Sequence, residues 1–304
     1  MKTYNFVGKK KIYFSISILI LVACIVCAGV FGIKLDIQFK GGSIITYNYE
    51  GVIDEKEFKS EVEGILGERV TVQKTKNAIT GSDNFVVSLA AAKGIDSTKQ
   101  MELTNSIETK YADNKLETLS INIVDPTIGK EFLYKCIVAV AFAAILMIVY
   151  VGFRFKSIGG VSAGVMAVVA LLHDIMVVFA TFVILRIPLN DSFIAVDLTI
   201  LGYSLNDTIV IYDRVRENKK IYGNHYSIGE LMNMSISQCL TRSIATTVTT
   251  VMAMVVVCVM ASIYNVNSIL TFAFPMIIGM LSGVYSSICI AGPLWVMWQE
   301  REKK

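Results

Sequence analysis

Six runs of about 20 or more mostly apolar residues, near 12–33, 134–153, 158–185, 192–212, 243–264 and 268–298, constrain this chain more than any other feature. A bilayer core of ~30 Å takes about 20 residues of helix to cross, so each run is long enough to span. Only 17% of the 304 residues are charged and 54% are hydrophobic, where ordinary soluble domains carry ~25% charge. A mean hydropathy of +0.59 over this length exceeds what one soluble core can bury, so the expected class is a multi-span α-helical membrane protein. The first run follows Lys9, Lys10 and Lys11, as a signal peptide would. It is longer than the ~7–15 residues of a signal core and lacks a cleavage site, so it is expected to remain as an anchor.

Basic residues fix the orientation. Lys2, Lys9 to Lys11, Arg154, Lys156, Arg214, Arg216, Lys219, Lys220, Arg301, Lys303 and Lys304 fall on one face, and the short loops of the other face hold only Arg186. The positive-inside rule then places residues 1–11 and 299–304, and both termini with them, in the cytoplasm. Residues 213–242 read as a cytoplasmic loop and the start of the fifth helix, and Trp295 and Trp298 suit the inner interface. A net charge of +3 without a basic face excludes nucleic-acid binding. Cys24, Cys27, Cys136, Cys239, Cys258 and Cys289 lie in or beside apolar runs, so they read as packing residues; a disulfide framework or CxxC redox site needs a solvated setting.

Residues 34–132 are too polar for lipid and form one extracytoplasmic domain. Their pattern gives a strand at 43–49, a helix at 54–66, strands at 70–74 and 85–90, a helix at 97–111 and a strand at 116–124. That βαββαβ order predicts an α+β ferredoxin-like domain, with Thr80 to Asp83 as the turn between its middle strands.

Charged groups inside the spans are the functional lead, because each costs roughly 2.5 to 3.5 kcal/mol at a helix centre on insertion scales. They are Asp174 in the third span, Asp197 and Asp207 in the fourth, and Arg242 at the start of the fifth. At 100° per residue Asp197, Ser204 and Asp207 share an arc of about 80°. Ser235, Gln238, Arg242, Thr246 and Thr249 form a similar stripe if the fifth helix starts before Arg242. The two stripes are expected to meet, with Asp207 and Arg242 paired in the inner third and His173, Asp174 and Asp197 together in the outer third. Such a series suits a proton relay, in which an arginine that approaches and withdraws biases two arrangements of the bundle. Simpler roles stay open for each: Arg242 snorkelling to headgroups, Asp197 hydrated at the outer interface, His173 as a packing contact, and Asp213 and Arg214 as interface anchors. Asp207, flanked by Tyr203, Ser204, Asn206 and Thr208, is the strongest candidate.

No phosphate-binding loop, HExxH helix or nucleophile elbow is present. His173 and His225 are the only histidines, too few for a histidine-based zinc site. No metal, cofactor or enzymatic activity is expected.

The run Leu198-Thr199-Ile200-Leu201-Gly202-Tyr203-Ser204-Leu205-Asn206-Asp207-Thr208, followed by Asp213-Arg214-Val215-Arg216-Glu217-Asn218, resembles the signature of the SecF family. Leu35-Asp36, Phe39 to Ser43, Pro126 to Gly129, Arg154-Phe155, Leu172-His173-Asp174 and the stretch from Ser235 to Thr250 extend the resemblance along essentially the whole chain. It implies a resistance-nodulation-division-type membrane half in the bacterial plasma membrane. Such a half works with SecD beside the Sec translocon channel and its insertase components, and uses the proton or sodium gradient to drive late export of unfolded preprotein. Under it Asp207 takes the place of the transport-essential carboxylate and Arg242 that of the fifth-span arginine. Beside this carry-over, the residues themselves read as a relay extended by Asn206, Asp174, His173 and Asp197, with Tyr203, Ser204, Thr208, Asp213, Arg214 and Thr246 as gating or interface residues. Two residues depart from the pattern. Asp125 stands where glycine is expected and stiffens a hinge; Asp197 stands where a small apolar residue is expected and adds an outer proton acceptor. Gly41, Gly42, Pro126 and Gly129 are the expected hinge of a swinging outer domain. Two other readings of the same architecture are a passive scaffold of the Sec assembly and half of a transporter for small lipophilic molecules.

Overall fold

The structure, a computed structural model, describes residues 3–68, 70–76, 83–89, 97–124, 126–264 and 266–302. Six of its helices are long and apolar enough to cross a membrane, and a four-stranded sheet lies between the first and second of these. Helix α1 (Lys10–Phe31) leads through a short α2 (Ile37–Lys40) into the sheet domain.

That domain is β1 (Gly42–Tyr49), α3 (Glu55–Leu66), β2 (Thr71–Lys76), β3 (Asp83–Leu89), α4 (Ser97–Lys110) and β4 (Glu117–Val124). The strand order β2-β3-β1-β4 with antiparallel neighbours is the split βαβ arrangement expected from the sequence. Of the turn expected at Thr80 to Asp83, the first three residues lie outside the described residues and Asp83 is the first residue of β3. Helix α3 starts where the Asp54 side chain accepts from Lys56 N at 3.0 Å and stops at Gly67, φ 69°, an N-cap and a left-handed C-cap. Alternate residues Ile45, Tyr47 and Tyr49 of β1 and Phe85, Val87 and Leu89 of β3 pack against Phe58, Val62, Leu103 and Ile107 of the two helices. Phe85 is sandwiched, with Tyr49 on one face and Phe58 on the other, each at 4.4 Å between centroids. Burial pushes the Tyr47 phenol well above its ordinary range, so this core residue stays neutral.

From β4 the chain enters α5 (Pro126–Arg154), then α6 (Gly160–Ile184), α7 (Asp191–Tyr222), α8 (Ile228–Ile263), α9 (Asn267–Ser286), a π-helical turn (Ser287–Ala291) and α10 (Gly292–Glu302). The domain sits at one end of this bundle and both termini at the other. Tyr4 N donates to Ser237 Oγ, and Phe6 N and Val7 N donate to Asn233 Oδ1, all at 2.9 Å; Lys10 lies 3.9 Å from Glu300.

Helices α7 and α8 run well past the expected span ends. Residues 213–222 continue α7 and 228–242 begin α8, so the expected loop is a helical hairpin joined only by residues 223–227. Ser227 and Glu230 close a capping box at the start of α8, which holds that end without lipid. The third, fourth and sixth spans are 56%, 50% and 67% buried, against 11%, 6% and 11% for the first, second and fifth. The bundle therefore has α6, α7 and α9 at its centre and α1, α5 and α8 around it.

Glycines set how closely these helices approach. A Cβ on Gly160 would meet the backbone carbonyl of Gly152, and one on Gly164 would lie 3.0 Å from Ile148 O, so α5 and α6 touch backbone to backbone. On α9, a Cβ at Gly279 would run into Ile200, and one at Gly283 would stand 3.0 Å from Ser204 Cβ. Two glycines four apart thus face two α7 residues four apart, which brings α7 and α9 together along one ridge.

The expected hinge takes a different form. Pro126 is the first residue of α5, where its fixed φ and missing N–H suit a helix start. Gly129 lies within that unbroken helix, and Asp125 is outside the described residues. On the other tether Gly41 and Gly42 have φ of 84° and 143°, which favours glycine. The segment before them is anchored: Leu35 bridges to Leu189, and Phe39, 2% exposed, stacks on Phe132 at 5.6 Å.

Candidate functional site

Helix α7 begins with Asn190 accepting from Phe193 N and carries polar residues on several faces, each with a different fate. Ser204 points to the centre, where its hydroxyl donates to Asp174 Oδ2 at 2.8 Å. Asp174 is fully buried and also accepts from Ser282 Oγ at 2.6 Å on Oδ1 and from Ser286 Oγ at 2.7 Å on Oδ2. His173 Nδ1 lies 3.4 Å from Oδ1. One carboxylate therefore ties α6, α7 and α9 together. His173 is also buried, its ring centroid 5.9 Å from that of Tyr285. The Tyr285 hydroxyl in turn donates to Tyr13 O at 2.8 Å and pairs with Ser17 Oγ at 3.0 Å on α1.

Asp174 sits at the level of Ser204, not of Asp197. Asp197 is seven residues earlier on α7, about 10 Å along the axis, so the cluster expected in the outer third does not form. Asp197 is 3% exposed and its Oδ1 has no hydrogen-bond partner.

Asp207, 6% exposed, turns toward α8. Its Oδ2 has no hydrogen-bond partner. The Ser243 hydroxyl lies beside the carboxylate without reaching hydrogen-bond geometry, and the field of Arg242 reaches it as well. No ion pair within 4 Å joins Asp207 to Arg242 among the described residues, and Arg242 is exposed. Of the expected stripe, Arg242, Thr246 and Thr249 face outward, Gln238 is half-buried, and Ser235 belongs with Cys239, Ser243 and Thr247 to the row of α8 that faces inward, all buried. Thr246 therefore does not line the contact with α7, and Thr247 does, pairing with the Tyr203 hydroxyl at 3.0 Å. Thr208 pairs with Ser287 Oγ at 2.9 Å in the π turn, and Ser287 Oγ donates to Ser204 O at 3.1 Å. Asn206 is exposed and stands apart from these contacts.

Near the terminal end, the α7–α8 hairpin is held by polar contacts. Asn218 Nδ2 donates to Ser235 Oγ at 2.8 Å and Gln238 Oε1 at 2.9 Å, and Arg214 Nε donates to the same Gln238 oxygen at 2.6 Å. Asp213 bridges Arg154 at 3.2 Å and Arg216 at 2.7 Å. Arg154, Arg214 and Arg242 border a cavity of about 580 Å³.

Sequence reasoning located Asp174, Ser204 and Asp207 but missed Ser243, Thr247, Ser282, Ser286 and Ser287. The available signal was Gly279-x-x-x-Gly283, a close-approach spacing interleaved with Ser282 and Ser286. Among the described residues no three His, Cys, Asp or Glu side chains gather as a metal site would need.

These contacts lie in the part of the chain that is similar to known proteins. A family model for the C-terminal region of the protein-export membrane proteins SecD and SecF matches residues 104–301. The protein translocase subunit SecF of Alicyclobacillus acidocaldarius is 33% identical over 99% of this chain and 94% of its own length, and that of Petrotoga mobilis is 30% identical over 100% and 99%. The protein translocase subunit SecDF of Bacillus subtilis is 32% identical, but the match covers 39% of it. A crystal structure of a Thermus SecDF, described as a translocon-associated membrane protein, superposes with a TM-score of 0.79 at 27% identity over 99% of this chain and 39% of that one. The chain thus spans about two fifths of the SecDF chains it matches and nearly all of the separate SecF subunits. Similarity that runs the length of the bundle and its βαββαβ domain places the chain in the SecD/SecF family of protein-export membrane proteins, as a SecF.

Proposed function

We propose that this chain is the SecF half of an accessory export assembly that works with a SecD partner and uses the proton or sodium gradient to drive late translocation of unfolded preprotein across the plasma membrane. The observation that carries this reading is Asp207, a buried carboxylate with one oxygen unpartnered, set beside an exposed polar face. Thr199 and Asn206 of α7 and Arg242, Thr246 and Thr249 of α8 all lie on the outside of the bundle. Polar groups at membrane depth need a cover, and SecD, joined in one chain in the SecDF relatives, is the partner that supplies it. The basic residues orient the terminal end to the cytoplasm, so the βαββαβ domain meets the preprotein on the far side, beside the translocon channel.

One charge crossing 100 mV supplies about 2.3 kcal/mol, enough to shift a two-state arrangement of helices by more than tenfold. Vesicles carrying the chain with SecD, under an imposed gradient, test this directly. Asp207→Asn at matched abundance is expected to lose gradient stimulation of export while keeping gradient-independent export. Undiminished stimulation would leave the scaffold reading, which the hydrogen-bonded Asp174 centre favours as helix glue. Asp197→Ala is expected to lower the coupled rate by a smaller factor, and an unaltered rate removes Asp197 from the ion path.

A further inference from the structure

The Asp174 centre contains an ambiguity in its hydrogen bonds. Ser286 Oγ lies 2.7 Å from Asp174 Oδ2 and 3.1 Å from Gly283 O; Ser204 Oγ lies 2.8 Å from Oδ2 and 3.5 Å from the same carbonyl. Each serine has one hydroxyl proton and two acceptors within reach. An ionised carboxylate attracts that proton more strongly than a peptide carbonyl does, because charge-assisted bonds are about twice as strong as neutral ones. A neutral carboxyl has no such advantage.

Two features of the surroundings of Asp174 bear on the charge it carries. No lysine or arginine lies within 4 Å of Asp174 among the described residues; the basic side chain at that range is His173. His173 has its other ring nitrogen, Nε2, buried and without a partner, although buried polar atoms are normally satisfied.

We propose that Asp174 is a second proton-binding site of the bundle, loaded through His173, and that its charge state selects the acceptor of the Ser204 and Ser286 hydroxyls. In the loading step an entering proton forms an N–H bond at His173 Nε2. The N–H bond at Nδ1 breaks, and an O–H bond forms at Asp174 Oδ1, so the imidazole is neutral again and the carboxyl has gained one proton. Oδ2 then loses its charge, and Ser286 and Ser204 turn to Gly283 O. That carbonyl already accepts the backbone N–H of Ser287, the first residue of the π turn. Added donors compete with this backbone bond, so loading Asp174 biases the boundary between α-helix and π-helix in the sixth span, a place where such turns often serve function. Thr208 pairs with Ser287 and follows Asp207 directly, so the bias reaches the first acid through α7.

The titratable groups around Asp174 are His173 on α6, Tyr285 on α9, Tyr13 on α1, Cys289 in the π turn, Asp207 three residues beyond Ser204, and Cys136 of α5, which packs with Val178 one turn away. This inference rests on the gradient-driven reading above, and its test separates the two. Infrared difference spectra, acid minus alkaline, are taken on the full chain with its SecD partner in vesicles. One component of the protonated-carboxyl band is expected to be lost in Asp174→Asn and retained in Asp207→Asn. Ser286→Ala, which keeps the acid, is expected to shift the frequency of the matching carboxylate band on the alkaline side, where Ser286 donates to Asp174 Oδ2. In the export assay Asp174→Asn is expected to reduce gradient stimulation about tenfold. Identical spectra for wild type and Asp174→Asn, or an unmoved carboxylate band in Ser286→Ala, would overturn the proposal while leaving the Asp207 result untouched. Should Asp174→Asn not accumulate, the Ser286→Ala carboxylate band decides alone. Retained stimulation in Asp207→Asn would defeat the motor reading whatever the bands show.

Discussion

Phe58→Ala is expected to open the core of the βαββαβ domain while leaving the helical bundle intact. Phe58 is fully buried, stacks on Phe85 at 4.4 Å and meets Tyr47 edge-on at 5.8 Å. Removing a buried phenylalanine costs about 3–5 kcal/mol, from lost transfer energy and from the cavity left behind. In a domain of this size that is a large share of the total stability. Because the domain core and the bundle core are separate clusters, the damage should remain local. Hydrogen exchange on the whole chain in micelles reads both parts in one sample: amides of β1 and β3 should lose about a hundredfold or more in protection, while those of α6 and α7 keep theirs. Protection of β1 unaltered within twofold would show that the aromatic stack does not support the sheet.

The second large effect is expected at Gly160. Most glycine-to-alanine changes within a helix gain ~0.5–1 kcal/mol, because alanine restricts the unfolded chain. At Gly160 the added methyl would press on the carbonyl of Gly152 and lie 2.9 Å from the carbonyl carbon of Phe155. Both are backbone atoms and cannot rotate away, so α5 and α6 must separate, at a cost of about 1–3 kcal/mol. Gly29 of α1 provides the control, since a Cβ there meets nothing within 4 Å. Thermal unfolding in detergent should show Gly160→Ala less stable and Gly29→Ala as stable as wild type or more so. Equal midpoints for all three would mean that the two helices are not in backbone contact.

The domain was legible because strand and helix leave different periods in a sequence, and a half-buried sheet shows alternation at Ile45, Tyr47 and Tyr49 that no helix would share. The spans were legible from apolar length alone, though not their ends: Arg214, Asn218, Ser235 and Gln238 continue two helices into water by bonding one another, which hydropathy does not register. The rotation of each span was the part that sequence could not supply. An arc of polar residues fixes angles around one axis and leaves open which neighbour the arc faces. Hence of the stripe Ser235, Gln238, Arg242, Thr246 and Thr249 only the first two meet α7; beyond them the contact passes to Ser243 and Thr247 in the adjacent row, and the other three face outward. The serines around Asp174 were hidden for a related reason. Within a helix a serine hydroxyl can bond its own backbone, as Ser235 does to Leu231 O at 2.7 Å, so serine alone does not announce a distant partner.

The projecting hairpin of α7 and α8 has a mechanical meaning. At 1.5 Å per residue the 32 residues of α7 measure about 48 Å against a ~30 Å hydrocarbon core, leaving roughly 18 Å outside. Its two strokes are riveted together at Asn218, Ser235 and Gln238, so they form one stiff arm. A tilt of about 10° inside the membrane sweeps the tip of an arm that long by about 3 Å, comparable to the 1–2 Å helix shifts that switch other assemblies. Whatever rests against that tip would sense the membrane event as displacement, with no charge having left the lipid.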